Sequence, residues 1–275
     1  MEIAFVTPLR NEINNIDRLI ASIEAQTTHI HTWIILENDS SDGSKEKLRG
    51  IGKLSNVRNL IILNLEQDNK SYALGTKYAS IVNIGFDYIK QRDNYDKIDL
   101  IGILDADCFP EENFYKNLSL GFSNDEKLGI SSGLAIYEDT GLEKDKKDWV
   151  IGNCRLWRKS CLEDCGYIIG PSADTLSVAK ALTNDWKVYA IKDIFVHSRE
   201  KGERINFRYY GESVYFRGHI ALYAIIRMTR YLWQLKLRAF CQFGIGYFQA
   251  YIQRRKRVND PQIRKYFQRY LLRYL

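Results

Sequence analysis

Residues Leu100-Ile101-Gly102-Ile103-Leu104 form an apolar run that ends abruptly in Asp105-Ala106-Asp107, with Cys108-Phe109-Pro110 behind it. A short run rich in Ile and Leu reads as a buried strand. Side chains two apart on a strand share a face, so Asp105 and Asp107 are expected to converge at its carboxyl end. Two converging carboxylates suit a hard divalent cation, since Mg²⁺ and Mn²⁺ take oxygen ligands and commonly complete their shell with substrate phosphates. The same residues also read as a polar strand end leading into the turn at Pro110, and both readings stay open at this point.

Apolar runs and helical patterns alternate through the first two hundred residues. Ile3–Val6 reads as a strand, followed by a helix pattern through Ile16, Leu19, Ile20 and Ile23. Strand patterns at Trp33–Leu36 and Leu60–Leu65 precede a helix through Tyr78, Ile81, Val82, Ile84 and Ile89. Such alternation predicts an α/β fold, a mostly parallel sheet with flanking helices, and ligands beyond the carboxyl ends of its strands. The polar clusters of the first half follow those ends: Thr7-Pro8-Leu9-Arg10-Asn11-Glu12 after the first strand, Glu37-Asn38-Asp39-Ser40-Ser41-Asp42-Gly43-Ser44 after the second, and the Asp pair after a fourth. The Ser/Asp/Gly segment equally suits a turn and helix cap. Neither a dinucleotide Gly-rich fingerprint nor a P-loop is present, which disfavours those folds.

At 275 residues the chain can bury one large core, and its net charge of +6 is unevenly spread. Residues 199–275 carry 17 Lys and Arg against 4 Asp and Glu, so the basic balance belongs to the tail. Five cysteines with no CxxC pair, and an N-terminus that opens directly on a strand pattern, lead to the expectation of a reducing cytosol. Cys161 and Cys165, at i, i+4, lack a second pair of soft ligands and read as buried thiols.

The three polar segments, in this order and spacing, resemble the signatures of family 2 glycosyltransferases with the GT-A fold, the nucleotide-diphospho-sugar transferase-like architecture. The resemblance covers roughly residues 1–200. It implies an inverting, hexosyltransferase-class enzyme that moves a sugar from a nucleoside-diphosphate donor, UDP- or GDP-linked, to an acceptor hydroxyl. Thr7, Pro8, Arg10 and Glu12, with Glu37, Asn38 and Asp39, would hold base and ribose; Lys77, Asp105 and Ala106 would line the donor site. Similar proteins more often have Asp and Gly where this chain has Glu37 and Asp39. The resemblance further implies that Asp105 and Asp107, with His197 at the end of the apolar run Ile191–Val196, hold Mn²⁺ or Mg²⁺. An inverting transfer needs a general base, and the resemblance assigns it to Asp174 within Ser172-Ala173-Asp174-Thr175-Leu176, where related chains carry an acidic pair. An N-cap role for Asp174 and a solvated helix face for Lys77 and Asn83 are the competing readings.

Trp157 reads as a sugar-stacking platform or as packing. The charged stretch Glu138–Asp148 reads as a mobile loop that forms part of a lid. From residue 205 to 275, Arg and Lys interleave with aromatic and aliphatic residues, without an uncharged span long enough to cross a bilayer. Basic, amphipathic, aromatic-rich helices of this kind suit an anionic membrane surface. Domains are therefore expected at 1–204, catalytic, and 205–275, a helical extension. The expected placement is cytoplasmic, peripheral on the cytoplasmic membrane face, with a glycan or lipid-linked acceptor. A homo-oligomer interface is the alternative use of the tail, and no nucleic-acid partner is expected. A catalytically silent GT-A-like scaffold that only binds nucleotide is the alternative of different class.

Overall fold

A computed structural model of the chain describes residues 1–65, 75–199 and 206–271. These form two compact units, residues 1–65, 75–169 and 173–199, and residues 170–172 with 206–271. The expected boundary at 204/205 lies outside the described residues.

In the first unit, β1 (Ile3–Leu9), α1 (Ile16–Glu24), β2 (Ile30–Glu37), the short α2 (Ser44–Arg49) and β3 (Val57–Asn64) are followed by α3 (Thr76–Lys90) and β4 (Leu100–Leu104). Then come β5 (Cys108–Pro110), α4 (Phe114–Asn124), β6 (Leu128–Tyr137), β7 (Gly141–Leu142), β8 (Cys154–Arg158), α5 (Lys159–Cys165), α6 (Ala173–Thr183) and β9 (Lys187–Ser198). One sheet runs in the order β3-β2-β1-β4-β8-β6-β9-β5, with β7 paired to β6. The first four are parallel; β8 lies antiparallel between β4 and β6, and β9 is parallel to β6.

β1 and β2 are buried on both faces, which is why they read as near-continuous apolar runs. Alternate residues feed two cores. Ile3, Phe5, Leu9, Trp33 and Ile35 pack with Ile16, Leu19 and Ile23 of α1 and with Phe114, Tyr115 and Leu118 of α4. Ala4, Val6, Ile34 and Leu36 pack on the other face with Ile81, Val82, Phe86 and Ile89 of α3. Gly85 lets α3 lie directly on the sheet: a Cβ there would come within 2.6 Å of Val6 Cγ1 and 2.9 Å of Leu36 Cδ1. That contact fixes the height of α3 and sets its first turn beside the end of β4.

The expectation that the Asp pair shares a strand face is corrected. β4 stops at Leu104, and Asp105-Ala106-Asp107 form the turn into β5, closed by the Cys108 N–H donating to the Asp105 carbonyl at 3.0 Å. Trp157 is 2 % exposed and packs edge-on against Phe86 and Tyr167, so it is core and not a platform. Within Glu138–Asp148, β7 closes a hairpin on β6, and ion pairs Arg18–Glu138 (3.2 Å) and Lys192–Asp145 (3.2 Å) tie the segment down.

The second unit is helical: α7 (Phe207–Arg217), α8 (Ala221–Trp233), α9 (Leu237–Ile252) and α10 (Pro261–Gln268). Val214, Tyr215, Ala224, Phe243, Tyr247 and Ala250 form its core. Pro261 opens α10, and the Asp260 carboxylate accepts from the Gln262 and Ile263 N–H groups, a capping arrangement.

Candidate functional site

The loops after β1 and β2 are locked to each other by short polar bonds. The N–H groups of Asn11, Glu12 and Ile13 donate to Ser40 Oγ, Ser44 Oγ and Asp42 Oδ2, each at 3.0 Å, and the Ser41 N–H returns to Asn11 Oδ1 at 2.8 Å. Asn11 and Asp39 adopt left-handed backbone, φ 56° and 54°, a conformation Asn and Asp tolerate better than most residues. Glu37 is buried and accepts from the Ser40 N–H at 2.7 Å, a turn-closing role. Thr7 is buried and its hydroxyl accepts from Trp33 Nε1 at 2.9 Å, so that side chain serves the core. Pro8 and Arg10 are half-buried, Asp39 is exposed, and Asn38 is buried with its Oδ1 lacking a hydrogen-bond partner among the described residues. A buried amide oxygen without a donor is costly unless something outside the protein supplies one.

At the end of β4, Asp105 accepts a hydrogen bond from the Tyr78 hydroxyl on the first turn of α3. Burial, and then the charge of Asp107, lift the Asp105 carboxyl well above the ordinary carboxylate range; Tyr78 and Arg155 oppose them. Lys77 is half-buried on the same turn as Tyr78, and Ala106 is buried. Asn83 instead donates to Asp87 at 2.7 Å along the helix surface. Asp107 Oδ2 accepts from Arg199 Nη2 at 3.1 Å, and the same nitrogen donates to Glu12 Oε1 at 3.0 Å. Burial raises the Glu12 carboxyl against the opposing influence of Asn15 and Arg199. Partial burial pulls the Arg199 guanidinium down, but Glu12 and Asp107 outweigh it and leave it above its ordinary value.

His197 does not join the carboxylates. Its Nε2 lies 3.4 Å from Glu111 Oε1, and the side chain is 43 % exposed. Among the described residues no group of three His, Cys, Asp or Glu is arranged to hold a metal. Of the expected trio, Asp105 and Asp107 share one turn, whereas His197 pairs with Glu111 and Arg199 with Asp107. The remaining donors still suit a hard cation. They are two carboxylate oxygens on one turn, and the buried Oδ1 of Asn153, without a partner among the described residues, whose backbone carbonyl accepts from the Asp105 N–H at 2.7 Å.

Asp174 sits on the first turn of α6, and its backbone carbonyl accepts from Arg155 Nη1 at 3.2 Å. Arg155 is 1 % exposed, and its Nη2 has no partner among the described residues. Burial pulls this guanidinium down, while Asp174, Tyr167, Tyr78 and Asp105 act to keep it charged. Gly152 makes room for it: a Cβ there would lie 3.0 Å from Arg155 Nη2 and 3.4 Å from Asp174 Oδ2. One buried cation thus stands in the fields of Asp105 and of Asp174. Sequence reasoning missed Tyr78, Asn153, Arg155 and Arg199. Arg199 had a signal, the i, i+2 spacing from His197 at a strand end; Arg155 had none, since a lone Arg between apolar residues reads as a strand edge.

The sequence model of glycosyl transferase family 2 matches residues 4–223. No curated protein matches. Among solved structures, GalNAc-T7, with UDP, GalNAc and Mn²⁺, is similar at a TM-score of 0.60 and 14 % identity over 92 % of this chain and 57 % of that one. Residues 1–349 of TarS from S. aureus, in complex with UDP-GlcNAc, give 0.58 and 12 % over 78 % of this chain and 64 % of that chain. The mannosyltransferase PcManGT from Pyrobaculum calidifontis, in complex with GDP-Man and Mn²⁺, gives 0.57 and 14 % over 100 % of this chain and 81 % of that one. At such identities the likeness is one of fold, a GT-A-like α/β sheet with flanking helices. The chain spans under two thirds of the TarS fragment and of GalNAc-T7.

Proposed function

The chain belongs to glycosyl transferase family 2, and on that premise we propose that the sheet end formed by Glu12, Asp105, Asp107, Arg155 and Asp174 is the active site of an inverting sugar transferase. The observation that carries the reading is Arg155, a buried guanidinium with a free nitrogen in the combined field of Asp105 and Asp174. It supports a donor side and an acceptor side meeting at one point.

The donor is a nucleoside-diphosphate sugar, UDP- or GDP-linked. Pro8, Arg10, Asn38 and Asp39 face the base and ribose, with Asn38 Oδ1 accepting from a base or sugar donor group; Thr7 contributes through its backbone, since its hydroxyl is spent on Trp33. Glu37 shapes that loop, and Lys77 and Ala106 line the phosphate and sugar. Asp105 and Asp107 would hold a Mn²⁺ or Mg²⁺ ion, which supplies positive charge to the departing diphosphate. His197 would join them only by leaving Glu111. In the transfer, the acceptor oxygen bonds to the anomeric carbon on the face opposite the leaving group. Its proton passes to the Asp174 carboxylate, and the bond from that carbon to the diphosphate oxygen breaks with both electrons leaving on the nucleoside diphosphate.

In this reading residues 1–204 are the catalytic domain and 205–275 a helical extension that meets an anionic membrane surface, where a glycan or lipid-linked acceptor resides. A specific observation favours it. The stretch Leu232-Trp233-Gln234-Leu235-Lys236-Leu237-Arg238 is exposed throughout, Trp233 at 94 % and Leu235 at 86 %, and no Asp or Glu occurs between Glu212 and Asp260. No described helix is long and apolar enough to cross a membrane; in this reading the contact is peripheral, on the cytoplasmic face.

Calorimetric titration of the full chain with UDP, GDP and dTDP, with and without Mn²⁺, tests the site. One nucleotide should bind in a metal-dependent way, and Asp107→Ala should weaken that binding by at least about a hundredfold. No nucleotide binding by folded wild type would overturn the transferase reading. Binding without transfer to any acceptor would favour the silent scaffold.

A further inference from the structure

Arg199 starts from a fixed place. It follows β9, and its backbone N–H donates to the Asp107 carbonyl at 3.3 Å, so the guanidinium is anchored beside the turn that carries the Asp pair. One nitrogen, Nη2, then bridges Asp107 Oδ2 at 3.1 Å and Glu12 Oε1 at 3.0 Å, joining side chains 92 and 187 positions away in sequence. The spot between two carboxylate oxygens at the end of β4, which a hard cation would favour, is held by the protein's own cation. A guanidinium has five N–H donors in a rigid fork. Among the described residues only Nη2 of Arg199 is committed, which leaves Nε and Nη1 for other acceptors.

We propose that Arg199 is an exchangeable internal counter-ion that holds Asp107 and Glu12 together in the free protein, yields Asp107 to the divalent cation, and then binds the donor's diphosphate. This rests on the reading of Asp107 as a cation ligand. Without Arg199, Glu12 and Asp107 would face each other as like charges, an arrangement that disfavours both ionised forms. With it, a divalent ion must break a charge-assisted hydrogen bond to reach Asp107, so cation binding to the free chain is weakened. The displaced guanidinium stays tethered next to the ion, where phosphate oxygens match its fork. A nucleoside diphosphate therefore rewards the displacement, and cation and nucleotide bind with positive coupling. By linkage the coupling is reciprocal, each ligand tightening the other by the same factor.

The test measures Mn²⁺ affinity of the full chain from the electron paramagnetic resonance signal of free Mn²⁺, with and without UDP or GDP, so transfer activity plays no part. Arg199→Met should bind Mn²⁺ alone about tenfold tighter than wild type, and the nucleotide should then add less to that affinity than it does in wild type. Arg199→Lys, which keeps the charge without the fork, should weaken Mn²⁺ binding relative to the Met variant. The Arg199 side chain is 34 % exposed at a strand end, so both variants are expected to fold, as circular dichroism melting would verify. Unchanged or weaker Mn²⁺ binding by folded Arg199→Met, or undiminished coupling, overturns the proposal. Asp107→Ala separates it from its premise: Mn²⁺ binding that survives that change sinks the ligand reading itself, whereas loss there without a gain in Arg199→Met sinks only the exchange.

Discussion

At the sheet end of the first unit, cations are matched to acids and carbonyls: Arg199 to Asp107 and Glu12, and Arg155 to the backbone of Asp174. The second unit carries nine Lys and Arg between Glu212 and Asp260 with no Asp or Glu among them, and answers several with rings instead. Arg257 lies 4.4 Å over Tyr215, and Arg227 5.7 Å over Tyr231. The contrast follows from solvation. A cation in a buried site must find compensating charge or hydrogen bonds within the fold, whereas a cation near the surface keeps water and can be held by a ring face. A buried charge left with an unsatisfied nitrogen, as in Arg155, therefore points to a ligand, and a surface with exposed Trp, Leu and unneutralised Arg points to a partner.

The sharpest way to break the first half of that comparison is Asp174→Asn. If Asp174 takes the acceptor proton, the turnover number should fall by roughly 10²–10⁴-fold while nucleotide binding holds, because the carboxamide keeps the shape and loses the base. Single-turnover transfer from the nucleotide sugar that calorimetry selects would read it. Unchanged transfer would return Asp174 to a helix-terminal role.

The second half is broken at the exposed tip. Trp233→Ser with Leu235→Ser should lower partition into anionic vesicles by about tenfold or more, since each large side chain is worth on the order of 1.5–3 kcal/mol when fully buried. Raising salt should weaken the wild type as well, because the cations near the surface contribute. Sedimentation with anionic and with neutral vesicles separates the two effects. Equal binding by wild type and variant removes the membrane surface, and a change from dimer to monomer in the variant would assign the tip to self-association.

What could be read in advance follows the same division. Asp105 and Asp107 were legible because an apolar run ending in acids is a local pattern, although the pair occupies a turn and not a strand. The locking of the Ser40–Ser44 loop was half legible: capping residue types were evident, but not that they cap the neighbouring Asn11–Ile13 loop. Arg199 and Arg155 acquire their partners only through the β9 and β8 pairings, which bring together residues far apart in sequence. Trp157 shows the limit of composition, since a ring that stacks on sugar and a ring that fills a core leave the same letter.

The smallest expected effect probes that loop lock. The Asp42 carboxylate accepts from the Ser44 N–H and the Ile13 N–H, each at 3.0 Å, so it ties the start of α2 to the β1 loop. Burial pushes its carboxyl up, but hydrogen bonds from Ser44 and Ile13 outweigh this and hold it below its ordinary value of 3.8. A depressed folded value means the stabilisation is complete above the unfolded value and is lost as pH falls through the folded one. Asp42→Ala should therefore cost about 1 kcal/mol at neutral pH, a melting shift of roughly 2–4 °C, and almost nothing once the medium is acid enough to protonate Asp42 in both states. A deficit that persists in acid would mean the loops are held by packing and not by the carboxylate. The β1–β2 end would then resemble the second unit, where Tyr215, Phe243 and Tyr247 pack the core.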